Sequence, residues 1–272
     1  MKKSILLATS VILFSFSTAQ AGWPIGKKHF ILSSSLSQYI AKNRWDQNGN
    51  YREGNGQSFN ATTFGVNLAY GISNRLDVNI GVPVIYQRIT YPGGAVNNTS
   101  LGDMQLGLTY NLFNFNYSNY ISVYTGAIMP LYTNTSSRYI GLGNAGGTVH
   151  LSNSGSLSSK TSYNVDLGFS QYVGTGAPQQ YLADVSLGYS LDRWNQLGVN
   201  AGAGRSISSD KRSVNNLLAN RDFNYVRVAG NYGHSFNKRI NLNLSLFYTV
   251  AGRNTGEGYG AALSLMYKLP YR

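Results

Sequence analysis

Apolar and polar residues alternate with a period of two over most of the chain, the signature of strands with one greasy and one polar face. Leu76, Val78, Ile80, Val82, Val84 and Tyr86 are apolar, whereas Asp77, Asn79, Gly81 and Gln87 are polar or small. Met104, Leu106, Leu108, Tyr110 and Leu112 alternate with Asp103, Gln105, Gly107, Thr109 and Asn111. The pattern returns from Ile240 to Val250 against Asn241, Asn243, Ser245 and Thr249.

A soluble sandwich alternates as well, so length, face chemistry and turns decide. Several segments run ten residues or more, which matches the ~9–11 residues of a tilted membrane-crossing strand. Their polar faces carry Asn, Ser, Thr and Gly rather than Lys and Glu, as a wet lumen would. Short connections at Ile72–Arg75, Asp192–Asn195 and Asn237–Arg239 alternate with long ones at Lys42–Gly56, Tyr91–Ser100, Ile207–Asp222 and Ala251–Gly256. That asymmetry predicts an antiparallel transmembrane β-barrel with periplasmic turns and outer loops. Tyr70, Tyr110, Tyr189, Tyr232 and Tyr267 fall at the periplasmic ends of descending strands, and Tyr86, Tyr181, Tyr248 and Tyr259 at the opposite ends, so two girdles are expected. Eleven strands are legible, near 29–41, 57–70, 75–88, 101–113, 119–132, 160–173, 180–191, 196–206, 222–235, 239–250 and 258–270. Periplasmic termini require an even number. The missing strand belongs between Tyr132 and Lys160, in the Gly143–Ser154 stretch, which makes twelve; ten is the alternative.

The one continuous apolar run opens the chain. Lys2-Lys3, the apolar stretch Ile5–Phe16 and Ala19-Gln20-Ala21 read as a signal peptide over 1–21, leaving a single barrel domain over 22–272. Export, the absence of Cys and a barrel together place the chain in a bacterial outer membrane. Only 12% of residues are charged, while 21 Tyr exceed the 11 Phe and 3 Trp combined. The net charge of +12 falls to about +10 when Lys2 and Lys3 leave with the signal peptide.

Candidate chemistry is sparse. His29, His150 and His234 show neither metal-ligand spacing nor a neighbouring nucleophile motif, so no enzyme, metal or cofactor is expected. Gly141-x-Gly143-x-x-Gly146 matches a dinucleotide pattern without the apolar helix that would follow it, and reads as a Gly-rich strand entrance. Lys42, Arg44, Arg52, Arg138, Arg205, Lys211, Arg212, Arg221 and Arg253 map to outer loops and rims. An exported barrel meets no nucleic acid, so lipopolysaccharide phosphates or bulk solvent face these cations. The inferred lumen carries Asp77, Asp103, Asp166, Asp184 and Arg227, the selectivity candidates, together with Lys268. They predict either a narrow cation-preferring path for a small solute, without gradient coupling, or a plugged structural barrel whose basic loops engage partners.

Tyr70-Gly-Ile-Ser-Asn-Arg-Leu-Asp-Val-Asn-Ile-Gly-Val-Pro83, Ser100-Leu-Gly-Asp-Met-Gln-Leu-Gly-Leu-Thr-Tyr-Asn-Leu112 and Gly126-Ala-Ile-Met-Pro130 resemble outer-membrane proteins of the phenol meta-cleavage pathway. The resemblance implies a barrel that passes aromatic or other hydrophobic compounds. Its motifs describe turns and strand entrances, and carry no substrate chemistry. The end Tyr267-Lys-Leu-Pro-Tyr271-Arg272 resembles a signal for the barrel-assembly machinery, with Arg272 where an aromatic is usual.

Overall fold

The computed structural model describes residues 24–135, 139–211 and 220–269. The signal peptide, Arg138, Arg212, Tyr271 and Arg272 lie outside the described residues. Fourteen strand segments follow one another: β1 (Phe30–Trp45), β2 (Tyr51–Arg52), β3 (Ser58–Gly71), β4 (Leu76–Tyr91), β5 (Gly94–Leu101), β6 (Asp103–Phe115), β7 (Asn119–Pro130), β8 (Gly146–Ser156), β9 (Thr161–Tyr172), β10 (Gln179–Ser190), β11 (Asn195–Ile207), β12 (Phe223–Ser235), β13 (Ile240–Arg253) and β14 (Thr255–Leu269). All pairings are antiparallel between neighbours, and β14 closes on β1 from Leu269↔Phe30 to Thr255↔Trp45. Closure leaves no open edge to be satisfied in lipid.

The wall has twelve strands. β2 only extends the first outer loop against Arg44 and Trp45. β5 and β6 run end to end along β4, broken at Gly102, with β5 on Val84–Tyr91 and β6 on Leu76–Gly81. The segment Gly146–Ser156 is the strand expected from parity. Two connections differ from the expectation. The stretch Tyr91–Ser100 is mostly strand, because its alternating residues find an extended edge on β4. Ala251–Gly256 is no long loop: Asn254 alone separates β13 from β14, at φ 54°. Asn is among the few residues that accept that left-handed turn.

Four periplasmic turns are one module. Ile72, Leu157, Leu191 and Phe236 each donate a backbone N–H to the carbonyl four residues on. The next side chain, Ser73, Ser158, Asp192 or Asn237, accepts the N–H groups two and three residues ahead at 2.6–3.2 Å. Short polar side chains that cap their own turn are the standard means of reversing a chain tightly.

Faces follow the alternation. Leu106, Leu108, Leu244, Leu246, Val185 and Leu187 are exposed on the outside, where lipid covers them. On β10 and β14 the girdle tyrosines are paired eight residues apart, Tyr181 with Tyr189 and Tyr259 with Tyr267. At ~3.3 Å per residue and a tilt near ~40°, this spans about 20 Å of membrane height. Strong shear accompanies the tilt. A register walk from Tyr86 through Thr62, Gln38, Ala261, Leu246, Gly230, Val199, Leu187, Tyr163, Gly155 and Asn119 descends from the outer girdle to Phe115 at the periplasmic end.

Candidate functional site in the lumen

The periplasmic half of the inner wall is polar because many of its inward-facing residues are Asn, Ser or Thr. Cross-strand bonds hold these side chains to the wall: Asn79 Nδ2 to Thr109 Oγ1 (2.9 Å), Asn111 Nδ2 to Ser122 Oγ (3.1 Å) and Ser154 Oγ to Asn164 Oδ1 (2.6 Å). Asn67 faces inward yet is exposed, so open volume reaches this part of the barrel.

The outer half differs. Tyr39, Phe59, Ile89 and Phe247 project inward from β1, β3, β4 and β13 and pack together, all below 9% exposed. Tyr39 and Phe247 stack with centroids 6.3 Å apart, and the Tyr39 hydroxyl donates to the Gly256 carbonyl at 3.0 Å. The connection between β7 and β8 folds into the lumen over this collar. Tyr139 packs against the cluster, Ile140 is buried, and the fully buried Gln87 of β4 donates to the Ile140 carbonyl at 3.1 Å. Asn134 closes the connection on itself by accepting from Ile140 N and donating to the Gly141 carbonyl. Gly141 and Gly143 lie in this connection and Gly146 begins β8, which accommodates the dinucleotide-like spacing without any phosphate-binding helix.

All five selectivity candidates face inward, but they do not form one ring. Asp77 sits at the periplasmic mouth, where Oδ2 accepts the Ile25 N–H at 3.1 Å and ties the segment before β1 to the wall. Asp103 starts β6, level with the middle of β4, and lies beside Tyr132 and Gly141 of the inward-folded connection. Asp166 and Asp184 are direct register partners. Ser152 donates to Asp166, Asn200 donates to Asp184, and His150 Nδ1 lies 2.7 Å from Asp166 Oδ1. Gly202 and then Arg227 continue the same row. The Arg227 guanidinium lies 4.7 Å from the Phe247 ring centre, 5.5 Å from Tyr39 and 5.7 Å from Tyr225, and donates to Thr249 Oγ1 at 3.3 Å. Lys268 is inward-facing near the end of β14.

His150 has no role legible in the sequence, where its strand is the weakest of the set. Inward alternation along β8 would place it in the lumen, but only the pairing with β9 brings it to Asp166. No group of three or more metal-ligating side chains occurs among the described residues.

The outer cations divide into two sets. Arg52 pairs with Asp46 at 2.9 Å, while Lys211 and Arg253 both pair with Asp222, at 3.1 and 3.0 Å. Burial by itself raises the Asp222 carboxyl, but hydrogen bonds and charge from Arg253 and Lys211 outweigh it and hold the group below its ordinary value. Arg221 donates to the Thr175 carbonyl at 2.9 Å. Lys42 and Arg205 instead stand exposed on the outside of the wall.

The COG4313 outer membrane channel from Pseudomonas putida F1 superposes with a TM-score of 0.72 at 12% identity, over 89% of this chain and 96% of that one. The NanC porin gives a TM-score of 0.54 at 8% identity, over 87% and 100% of the two chains. The β-domain of the Bordetella autotransporter BrkA gives 0.54 at 14%, over 89% and 100%. These likenesses establish the fold, a closed antiparallel β-barrel of the kind found in outer-membrane proteins. No curated protein matches the chain by sequence. Residues 41–265, most of the barrel from the upper part of β1 to β14, match one family along their length, and the chain belongs to that family, described as "Putative MetA-pathway of phenol degradation".

Proposed function

We propose that the chain is a passive outer-membrane channel for small solutes, with aromatic or other hydrophobic compounds as its cargo. The carrying observation is the change in wall chemistry along the axis. From the outside inward, the β7–β8 connection and the aromatic cluster of Tyr39, Phe59 and Phe247 beneath it give way to an Asn- and Ser-lined half, so a solute that displaces the connection reaches rings first and polar wall afterwards. Aromatic rings offer a weakly hydrated solute a partial exchange of water for apolar contact, and the polar half holds it too weakly to trap it. The COG4313 channel supports transport, and the family description, which names phenol degradation, supports an aromatic cargo. Purified protein in planar bilayers is expected to show single-channel steps, and liposomes containing it to take up phenol down its gradient. Absence of both steps and uptake overturns the reading.

The inward-folded connection favours a second reading, a barrel closed at its outer end. Gln87→Ala removes the donor to Ile140 and is expected to raise conductance if the connection narrows an open path. A wild-type barrel that stays silent while Gln87→Ala conducts would make the plugged reading correct.

A further inference from the structure

We propose that two stations on the outside of the wall, centred on Arg88 and Arg205, bind the phosphate groups of an outer-leaflet glycolipid. The inference is independent of what passes through the lumen. Arg88 is exposed on β4, in register between Asn60 of β3 and Asn97 of β5. One outward position below it stands Tyr86, whose hydroxyl donates to Asn97 Oδ1 at 3.3 Å. Arg205 is exposed on β11, in register between Tyr181 of β10 and Asn224 of β12. Tyr181 is itself braced by the Phe169 ring, 5.2 Å between centroids. Each station thus combines a guanidinium, an asparagine amide and a girdle tyrosine. In the ring of strands β4 and β11 are six apart, so the two stations sit on opposite sides of the barrel.

Placement and charge identify the occupant. Arginine on the lipid face costs ~2–4 kcal/mol at the midplane but only ~0–1 near the interface, and Tyr86 and Tyr181 mark that interface. Of the acids of the outer loops, Asp46 is engaged by Arg52 and Asp222 by Lys211 and Arg253, and Glu53 pairs with neither Arg88 nor Arg205. Glu257, also at this level, is held by Asn43 and Tyr248. Among the described residues neither Arg88 nor Arg205 is in an ion pair. Counter-charge must therefore come from the leaflet. A guanidinium fork matches a phosphate bidentately, the neighbouring amide adds a donor, and the tyrosine ring with Val84 or Val185 below it suits the first carbons of an acyl chain.

Native mass spectrometry of the mature chain released from detergent tests this, with bis-phosphorylated lipid A, its dephosphorylated form and inorganic phosphate as probes. Wild type is expected to retain up to two phosphorylated lipids and none of the dephosphorylated form. Arg88→Gln and Arg205→Gln should each lose one, and the double variant should bind at least tenfold more weakly; Arg75→Gln, in a periplasmic turn, should bind as wild type. Heat-modifiable gel mobility reports that each variant is folded. Arg88→Lys with Arg205→Lys, which keeps the charge without the fork, should retain partial binding and serves if the glutamine variants do not fold. Equal retention by wild type and either double variant, or equal binding of dephosphorylated lipid, overturns the proposal. Displacement of the lipid by inorganic phosphate would mean an adventitious ion only, and overturns it too.

Discussion

Gly202 lets two opposite charges share one stretch of inner wall. It lies in register between Asp184 and Arg227, and a Cβ built on it would stand 2.5 Å from Asp184 Oδ2. Gly202→Val is therefore expected to push Asp184 off its Asn200 partner, at a cost of about 1–3 kcal/mol for overpacking, and to change ion preference while the barrel still forms. Reversal potentials under a salt gradient measure the second effect, and an unchanged potential would separate Asp184 from selectivity. Asp222 offers a pH test outside the membrane. Its folded value is depressed by Arg253 and Lys211, so the tether is fully present above the ordinary carboxylate range and is lost as pH falls through the depressed value. The temperature at which the barrel loses its heat-modifiable gel mobility should be the same at pH 7 and pH 5 and lower near pH 3, and Asp222→Asn should already lower it at pH 7.

Facing is set at the level of the strand. Leu106 and Leu244 are exposed to lipid, while Gln105 and Asn243 are their inward neighbours. Arginine at Leu106 or Leu244 should cost ~2–4 kcal/mol in denaturant titrations of folded barrel, and arginine at Gln105 or Asn243 little. Equal cost within a pair would reverse the facing assignment. The same alternation makes most strands legible in the sequence. β8 is legible chiefly by parity: Gly146, Gly147 and Gly155 dilute its pattern, and its stability comes from the ladders with β7 and β9 rather than from its own residues. β5 escapes a sequence reading because a polar run such as Asn97-Asn98-Thr99-Ser100 looks like a loop until β4 extends beside it. The Asn254 hairpin escapes because polar composition around a turn does not reveal its length.

On the scale of the whole barrel, the lumen charge is distributed along the axis, and only Asp166 and Asp184 lie side by side. Paired carboxylates against a low-dielectric wall should favour cations, and the preference should weaken as the screening length falls from ~10 Å at 0.1 M to ~3 Å at 1 M salt. Asp166→Asn with Asp184→Asn should remove it in a variant that still folds and conducts; an unchanged reversal potential would move selectivity to the outer connections. The sequence by itself determined the barrel, the membrane, the two tyrosine girdles and which side chains point inward, because a period of two and the solvent on each face are local properties of a strand. It also placed Asp77, Asp103, Asp166, Asp184 and Arg227 in the lumen. Their heights were beyond it. Height depends on tilt and shear, which accumulate through every ladder and become definite only when β14 meets β1. Closure sends Asp77 to the periplasmic mouth and Asp103 beside the connection between β7 and β8. Ring closure likewise carries Tyr39, at the start of the barrel, against Phe247, near its end. The collar that distinguishes the outer half of the lumen is therefore a product of tertiary structure alone.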